Sequence, residues 1–195
     1  MRLILASSSK NRQNIFKNIG WKFEVIKSNV EEHSDATDYR EYVKDLSRDK
    51  ANSVASQIDG EALIIAADSV VYMDGKIYEK PKNKEEAFNN IKQMSGKVSY
   101  LTTGVTIKDL YQNKEITFSD VVEVHLRNVD EEDILWYVNN EAFSGCGFTI
   151  PGKAEIFVDK IVGDFNTLFG LSISSVYAKL KELGYSMKDF EKDNN

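Results

Sequence analysis

Short apolar runs alternate with amphipathic stretches along most of the chain. Leu3–Ala6 and Leu63–Ala67 are continuous apolar runs of strand length, which is typical of buried strands. Asn11–Ile19 and the long stretch that begins at Asp38 instead place apolar residues at helical spacing. Because strand and helix patterns follow each other in turn, the sequence predicts an α/β fold.

Turn and capping residues set the limits of the other predicted elements. Asp38 and Asn83 are each followed three residues later by glutamate, the spacing of a capping box, and therefore mark the starts of two helices. Asp74-Gly75 favours a two-residue turn in a hairpin. Further strands are predicted at Phe23–Ile26, Tyr100–Ile107, Ile116–Leu126 and Glu155–Val162, and further helices after Asp130 and over Ser172–Leu183.

No internal repeat and no linker rich in proline, glycine or serine divides the sequence. We therefore predict a single domain over residues 1–185, followed by a polar tail over residues 186–195 that is expected to be disordered. With 195 residues, of which 42% are hydrophobic and 29% charged, the composition is that of an ordinary soluble globular protein.

Charge, cysteine and histidine content exclude several classes of protein. A net charge of -6 argues against a nucleic-acid binder, which needs a basic face. The single cysteine, Cys146, cannot form an intrachain disulfide and fits a reducing cytoplasm. His33 and His125 have no partner at metal-ligand spacing, so a zinc site is not expected. The first strand begins at once and no apolar run reaches membrane-spanning length, so we expect a cytoplasmic protein without a membrane partner.

Asp68 is the first candidate for chemistry. It directly follows the apolar run Leu63–Ala67, and Lys80-Pro81 comes after the predicted hairpin. Ligands of α/β sheets bind at the carboxyl ends of strands, so a carboxylate there, with a lysine returning on the next ribbon, is a candidate reaction centre. The alternative is that Asp68 only caps a turn.

A second polar cluster follows the first predicted strand. Ser7, Ser8 and Ser9 precede a helix that carries Arg12 in its first turn. The free N–H groups of a helix N-terminus attract anions, so these hydroxyls and Arg12 are candidates for a phosphate cradle. Ser9 is equally suited to act only as the helix N-cap. The sequence lacks a Walker A loop and a dinucleotide-binding glycine motif, so any phosphate is bound by a different arrangement.

Several local motifs together resemble the Maf family, also called septum-formation-inhibitor-like, from about Leu3 to Gly184. In order, they are Leu5–Ser9 with Arg12, Val30–Glu32, Lys50-Ala51, Ala66–Val71, Asp74-Gly75, Lys80-Pro81, Ser95–Lys97, Thr103–Val105 and Gly170-Leu171. The resemblance implies a nucleoside triphosphate pyrophosphatase. It also implies an elongated central mixed sheet flanked by helices, with two lobes and a cleft between them as in inosine triphosphatases, often in a homodimer.

The same resemblance implies roles for individual residues. Asp68 matches the family's proton acceptor, and Glu31 matches an acidic position that would hold Mg²⁺ or Mn²⁺ together with Asp68. Glu31 is otherwise a solvated loop charge, and its neighbour Glu32 is expected to be solvated. The residues that would face phosphate oxygens are Lys50, Lys80, Ser7, Ser9 and Arg12.

Three positions correspond to base-reading residues of the family. Members that prefer dTTP and UTP carry Arg, Thr and Gln there, whereas this chain carries Asn11, Ser69 and Pro151. Only Ser69 keeps the expected hydroxyl. The resemblance therefore implies dTTP, UTP or modified pyrimidine nucleotides as substrates, with loose discrimination.

An alternative function is a nucleotide-binding regulatory protein that acts on cell division, in septum formation, with little turnover. The altered loop at residues 144–152, which lacks the family's lysine and glutamine, leaves this alternative open. Asp68 and Lys80 together favour catalysis, because binding alone needs no general base.

Overall fold

A computed structural model describes residues 1–141, 145–150 and 152–191. Its strands are β1 (Leu3–Leu5), β2 (Glu24–Val25), β3 (Leu63–Met73), β4 (Lys76–Tyr78), β5 (Val98–Asp109), β6 (Lys114–Leu126) and β7 (Val158–Val162). Its α-helices are α1 (Lys10–Asn18), α2 (Tyr39–Ala55), α3 (Lys84–Met94), α4 (Glu131–Asn140) and α5 (Ile173–Glu182). Short 3-10 helices cover Lys153–Phe157, Phe165–Phe169 and Met187–Asp189.

The strands form one mixed sheet. Its order is β2-β1-β3-β5-β6-β7, and β4 pairs with β3 outside this path. β1 is parallel to both β2 and β3, whereas the pairs β3–β4 and β6–β7 are antiparallel. β5 and β6 are neighbours joined by only residues 110–113, too short for a parallel crossover, so they too are antiparallel. The predicted α/β class is confirmed.

The described chain divides into two compact units. The first comprises Met1–Ser69, Thr103–Asp120 and the described chain from Phe165 onwards. The second comprises Val70–Thr102 and the described part of Val121–Asp164. In the second unit α3 packs against α4, and the predicted turn residues Asp74 and Gly75 both adopt the positive φ that the hairpin requires.

In the first unit, β1 and β3 are covered on both faces. Alternate side chains of a strand point to opposite faces, so Leu5 and Ile65 join the cluster that contains Phe16 of α1. Ile4 and Ile64 point the other way and join the cluster that contains Val54 of α2 and its neighbour Ala51. This double burial explains why both strands are continuous apolar runs.

α2 is fixed by its cap and by a close backbone approach. The Asp38 side chain accepts hydrogen bonds from the N–H groups of Arg40 and Glu41, as its predicted capping role requires. Farther along the helix, a Cβ on Gly104 of β5 would lie 2.1 Å from the Val43 carbonyl oxygen. Only glycine allows this packing, which fixes α2 against the sheet.

Asp68 lies inside β3, not after the end of a strand as predicted. β3 continues because Val71–Met73 pair with β4 across the hairpin turn. β1 ends at Leu5, which is opposite Ile65, so Asp68 lies beyond the end of β1. Asp68 therefore lies beside the carboxyl end of the parallel strand β1, and not at the end of its own strand, β3.

The prediction of a strand over Glu155–Val162 is wrong for its first three residues. Lys153–Phe157 form a 3-10 helix, and β7 begins only at Val158. The Glu155 carboxylate accepts a hydrogen bond from the Gly152 N–H at 2.8 Å, which closes this turn. A local side-chain bond to the backbone thus competes with the strand.

The tail prediction is wrong for residues 186–191, which are ordered. Phe190 is fully buried, and its ring stacks on Trp21 with 4.6 Å between ring centroids. The Lys22 N–H donates to the Phe190 carbonyl oxygen at 2.8 Å. Burial of one aromatic ring therefore outweighs the polar composition of the segment. Residues 192–195 lie outside the described residues.

Each described helix is too short or too polar to cross a membrane.

Candidate active site

A polar pocket of about 650 Å³ lies in the first unit. It opens where β1 and β2 end and where β1 leads into α1, beside the middle of β3. This is the edge of a parallel sheet at which ligands bind in α/β proteins. Its polar lining residues are Ser7, Ser8, Ser9, Arg12, Lys27, Ser28, Glu32, Lys50, Asp68 and Ser69.

An ion triad of two buried residues and the exposed Glu32 lies in the pocket. Lys50 comes from α2 and Asp68 from β3, and each residue is only 8% exposed. The Lys50 Nζ donates to the Asp68 Oδ1 and also lies 2.7 Å from the Glu32 Oε1. One ammonium group therefore holds two carboxylates that belong to separate elements of the chain.

Burial raises the pKa of the Asp68 carboxyl above its ordinary value. The charges of Lys50 and Arg12 oppose this shift without cancelling it, and Glu32 adds to it. A carboxylate with a raised pKa is a stronger base than an exposed one, so Asp68 is suited to accept a proton.

The Arg12 guanidinium forms hydrogen bonds within the protein. Its Nε donates to the Gly170 carbonyl oxygen at 2.7 Å and its Nη1 to the Ala67 carbonyl oxygen at 2.9 Å. Its Nη2 donates to the Ser69 Oγ at 2.9 Å. Burial lowers the pKa of the guanidinium, which still stays protonated. In this structure Arg12 therefore positions β3 beside α1, and its phosphate contact stays a prediction.

The serines of the β1–α1 turn have local partners as well as a place in the pocket. The Ser9 Oγ accepts from the Arg12 N–H at 3.5 Å, as an N-cap does, and the Ser7 Oγ accepts from the Ser9 N–H at 3.2 Å. Both proposed roles of Ser9 are thus compatible, because the cap holds the helix N-terminus at the pocket. The Ser69 Oγ lies 2.8 Å from the Thr103 Oγ1.

Three predicted site residues do not line this pocket, and a fourth lies outside the described residues. Asn11 and Glu31 are exposed and do not contribute to the pocket lining among the described residues. Lys80 is exposed and belongs to the second unit, so its phosphate contact stays a prediction. Pro151 lies outside the described residues.

Two charged residues of the pocket lining, Lys27 and Glu32, were not predicted as site residues. Glu32 is exposed, as expected, but it also contacts Lys50, whereas its neighbour Glu31 does not line the pocket. Both residues lie in a loop without regular secondary structure, so the sequence pattern alone could not decide between the two. Lys27 follows β2 directly after Ile26, and the strand-end rule that identified Asp68 would also have found it.

The acidic residues suit a divalent ion that substrate helps to bind. Asp68 and Glu32 lie close together, since both contact one Nζ atom. Mg²⁺ often uses one or two carboxylates, with phosphate and water oxygens completing its shell. In the described ranges no group of three or more histidines, cysteines or acids is arranged to hold a metal alone.

The family described as "Maf-like protein" matches residues 2–183. The chain belongs to this family. Two relatives of this Maf-like chain illustrate the match. The "dTTP/UTP pyrophosphatase" of Fusobacterium nucleatum subsp. nucleatum is 39% identical over 192 residues, covering 97% of this chain and all of the relative. The "Nucleoside triphosphate pyrophosphatase" of Cyanothece sp. is 36% identical over 192 residues, and the match covers 97% of this chain and 98% of the relative.

The Maf-like chain is also similar to a solved structure, the Staphylococcus aureus Ham1 protein. The TM-score is 0.52 at 16% sequence identity, and the match covers 94% of this chain and 100% of the other. A likeness at this level of identity concerns the fold alone, and it agrees with the mixed α/β sheet described above.

Proposed function

We propose that this chain is a hydrolase that converts nucleoside triphosphates to nucleoside monophosphate and pyrophosphate. The observation that carries the proposal is the buried Asp68 carboxylate, held beside Lys50 in a polar pocket at the ends of parallel strands. The names of the relatives, dTTP/UTP pyrophosphatase and nucleoside triphosphate pyrophosphatase, support the same reaction.

In the proposed mechanism Asp68 accepts a proton from a water molecule that attacks the α-phosphorus. A bond forms between the water oxygen and the α-phosphorus, and the bond from that phosphorus to the oxygen bridging to the β-phosphate breaks. Its electron pair leaves with pyrophosphate. Lys50 holds the Asp68 carboxylate in position and places a cation beside the charge that develops.

The start of α1 supplies the proposed phosphate cradle. Its N-cap Ser9 and the preceding Ser7 and Ser8 line the pocket, where free N–H groups and the helix dipole favour an anion. Lys80 is proposed to add a further cation, as the family resemblance implies.

A divalent ion, Mg²⁺ or Mn²⁺, is proposed as cofactor. The donor set of this pocket favours Asp68 and Glu32 as the residues that would hold it, in place of the pair Asp68 and Glu31 expected from the sequence. When bound, such an ion would neutralise phosphate charge in the transition state.

The proposed substrates are dTTP, UTP and modified pyrimidine nucleotides. Ser69 lines the pocket and offers a hydroxyl to the base, whereas Asn11 is exposed. On the family resemblance we also propose that the protein acts in the cytoplasm and as a homodimer.

A substrate screen tests the proposed function. Purified protein is incubated with canonical and modified nucleoside triphosphates in Mg²⁺ or Mn²⁺, and pyrophosphate and orthophosphate release are measured separately. We expect pyrophosphate with matching monophosphate, and the fastest turnover among pyrimidines. Nucleotide binding without pyrophosphate release would overturn the hydrolase and favour the regulatory alternative.

A further inference from the structure

Lys27 occupies a place on the pocket wall that the proposed mechanism does not yet use. It follows β2 and lines the pocket together with Ser28. β2 is parallel to β1, so Lys27 and the Ser7–Ser9 turn follow neighbouring strand ends at the same edge of the sheet.

The backbone on either side of Lys27 is fixed. The Ile26 N–H donates to the Leu5 carbonyl oxygen at 3.3 Å, which continues the pairing of β2 with β1. Two residues after Lys27, the Asn29 N–H donates to the Ser53 Oγ of α2 at 3.0 Å. Lys27 is therefore held between two anchored residues, one on the sheet and one on α2.

The other cations of the pocket are already committed. Arg12 donates to Gly170, Ala67 and Ser69, and Lys50 lies between Asp68 and Glu32. Within the part of the chain that the structure describes, no acceptor lies within hydrogen-bonding distance of the Lys27 Nζ. Lys27 is thus the pocket cation that remains available to a ligand.

Lys27 decides the net charge of the pocket lining. Arg12 and Lys50 are matched by the carboxylates of Asp68 and Glu32, so these four residues together offer no net attraction to a polyanion. Lys27 makes the lining net positive. A lysine ammonium binds phosphate oxygens as a point charge and needs no fixed orientation.

We propose that Lys27 binds the β- and γ-phosphates of the nucleotide, the part that leaves as pyrophosphate. This inference rests on the proposed function, which places the α-phosphorus beside Asp68. Lys50 is the cation next to Asp68 and therefore lies beside the α-phosphate. Lys27, which has no acceptor among the described residues, is then the cation available to the β- and γ-phosphates. Lys27 is then a substrate-binding residue that acts on affinity for the triphosphate and not on proton transfer.

Product inhibition by pyrophosphate and by dTMP tests this inference. For Lys27→Gln we expect about a tenfold rise in the KM for dTTP and in the inhibition constant of pyrophosphate, the loss typical of one charge-assisted hydrogen bond. We expect the inhibition constant of dTMP and kcat to stay unchanged, and Lys27→Arg to restore most of the affinity.

Lys17→Gln is the matched control, because Lys17 is an exposed lysine at the other end of α1 and does not line the pocket. Thermal unfolding of both variants checks that the fold is intact. Equal weakening of pyrophosphate and dTMP binding, or unchanged pyrophosphate binding in Lys27→Gln, would overturn the inference.

The two proposals fail in different ways. If the unaltered protein releases no pyrophosphate from any nucleotide, the proposed function is wrong. Calorimetric titration of pyrophosphate into the unaltered protein and Lys27→Gln then decides the binding role alone. Absence of pyrophosphate binding, or equal affinity of the two proteins, would refute the role of Lys27.

Discussion

Lys50 of α2 donates a hydrogen bond to Asp68 of β3, although the two residues are 18 positions apart and both side chains are almost fully buried. Burying an ion pair costs desolvation energy that its own attraction seldom recovers, so such a pair is poor evidence for a purely stabilising role. Its position in the lining of a polar pocket favours a catalytic role.

Asp68→Asn is expected to abolish most turnover. Asparagine keeps the size of the side chain but cannot accept the proton, and losing a positioned general base typically costs ~10²–10⁴ in rate. We expect kcat to fall by this factor while the affinity for nucleotide, measured by calorimetry, changes little. Asp59→Asn, at an exposed position of the same unit, serves as control. A variant with unaltered kcat would show that another group accepts the proton.

The pH dependence of kcat/KM reports the state of Asp68. Burial raises the pKa of Asp68, and in the proposed mechanism its ionised form is the active one. We therefore expect kcat/KM to rise with pH around a midpoint above the ordinary pKa of an aspartate. Lys50 lowers this pKa, so Lys50→Gln must move the acid limb of the residual activity to still higher pH. A limb that stays in place, or moves to lower pH, would contradict the electrostatic role of Lys50.

Paired variants of the adjacent glutamates test the metal assignment. Both glutamates are exposed, but Glu32 contacts Lys50 and lines the pocket, whereas Glu31 does not line it. Excess chelator is expected to stop the reaction, and Glu32→Gln to raise the metal concentration for half-maximal rate by about tenfold. Glu31→Gln is expected to leave it unchanged. The reverse result would restore Glu31 as the ligand, and equal activity in chelator would remove the metal from the proposal.

Ser69→Ala is expected to reduce the preference for pyrimidines. The Ser69 hydroxyl accepts from Arg12 and shares with Thr103 a hydrogen bond in which either hydroxyl can donate, which leaves one donor or one acceptor site for the edge of a pyrimidine base. Loss of one such bond predicts about a fivefold fall in the ratio of kcat/KM for dTTP over dGTP.

Thr103→Val tests whether the substrate preference comes from a contact of Ser69 with the base or from the hydrogen bond between Ser69 and Thr103. It removes the partner of Ser69 without altering a residue of the pocket lining. We expect the dTTP preference to survive in this variant. If Thr103→Val and Ser69→Ala change the substrate ranking equally, the network and not a contact with the base sets specificity.

Local chemistry made much of the fold predictable. Asp38 and Asn83 cap their helices because each side chain meets N–H groups only two or three residues away. The turn at Asp74-Gly75 depends on φ values that these two residues adopt at little cost. Such elements need no knowledge of distant parts of the chain.

The parts of the site that the sequence did not reveal depend on distant residues. Arg12 was expected to face phosphate, but its guanidinium is bound by Gly170, which lies 158 positions away in sequence. The choice between Glu31 and Glu32 depends on the direction of each side chain from an irregular loop, which follows no period. Phe190 is buried because Trp21 offers a ring to stack on, and a polar segment gives no hint of this.

The contact of Arg12 with Gly170 leads to the last prediction, on Gly170→Ala with Gly60→Ala as its control. The two glycines have nearly the same positive φ, 81° and 82°, a region that costs an L residue about 1–2 kcal/mol. A methyl group at Gly60 would meet no atom within 4 Å, whereas at Gly170 it would lie 3.1 Å from the Arg12 Nε and 3.2 Å from the Ser69 Oγ. Both variants are therefore expected to lose stability in urea denaturation.

Only Gly170→Ala is expected to lose activity. The added methyl requires the Arg12 guanidinium to shift by a few tenths of an ångström, and this group also holds the Ala67 carbonyl oxygen directly before Asp68. Displacement of a catalytic group by about 1 Å can cost ~10²-fold in rate, so this smaller shift should lower kcat/KM by about threefold to tenfold in Gly170→Ala. The value should stay near that of the unaltered protein in Gly60→Ala. Equal activity of the two variants at equal stability would show that the Arg12 contact with Gly170 does not position Asp68.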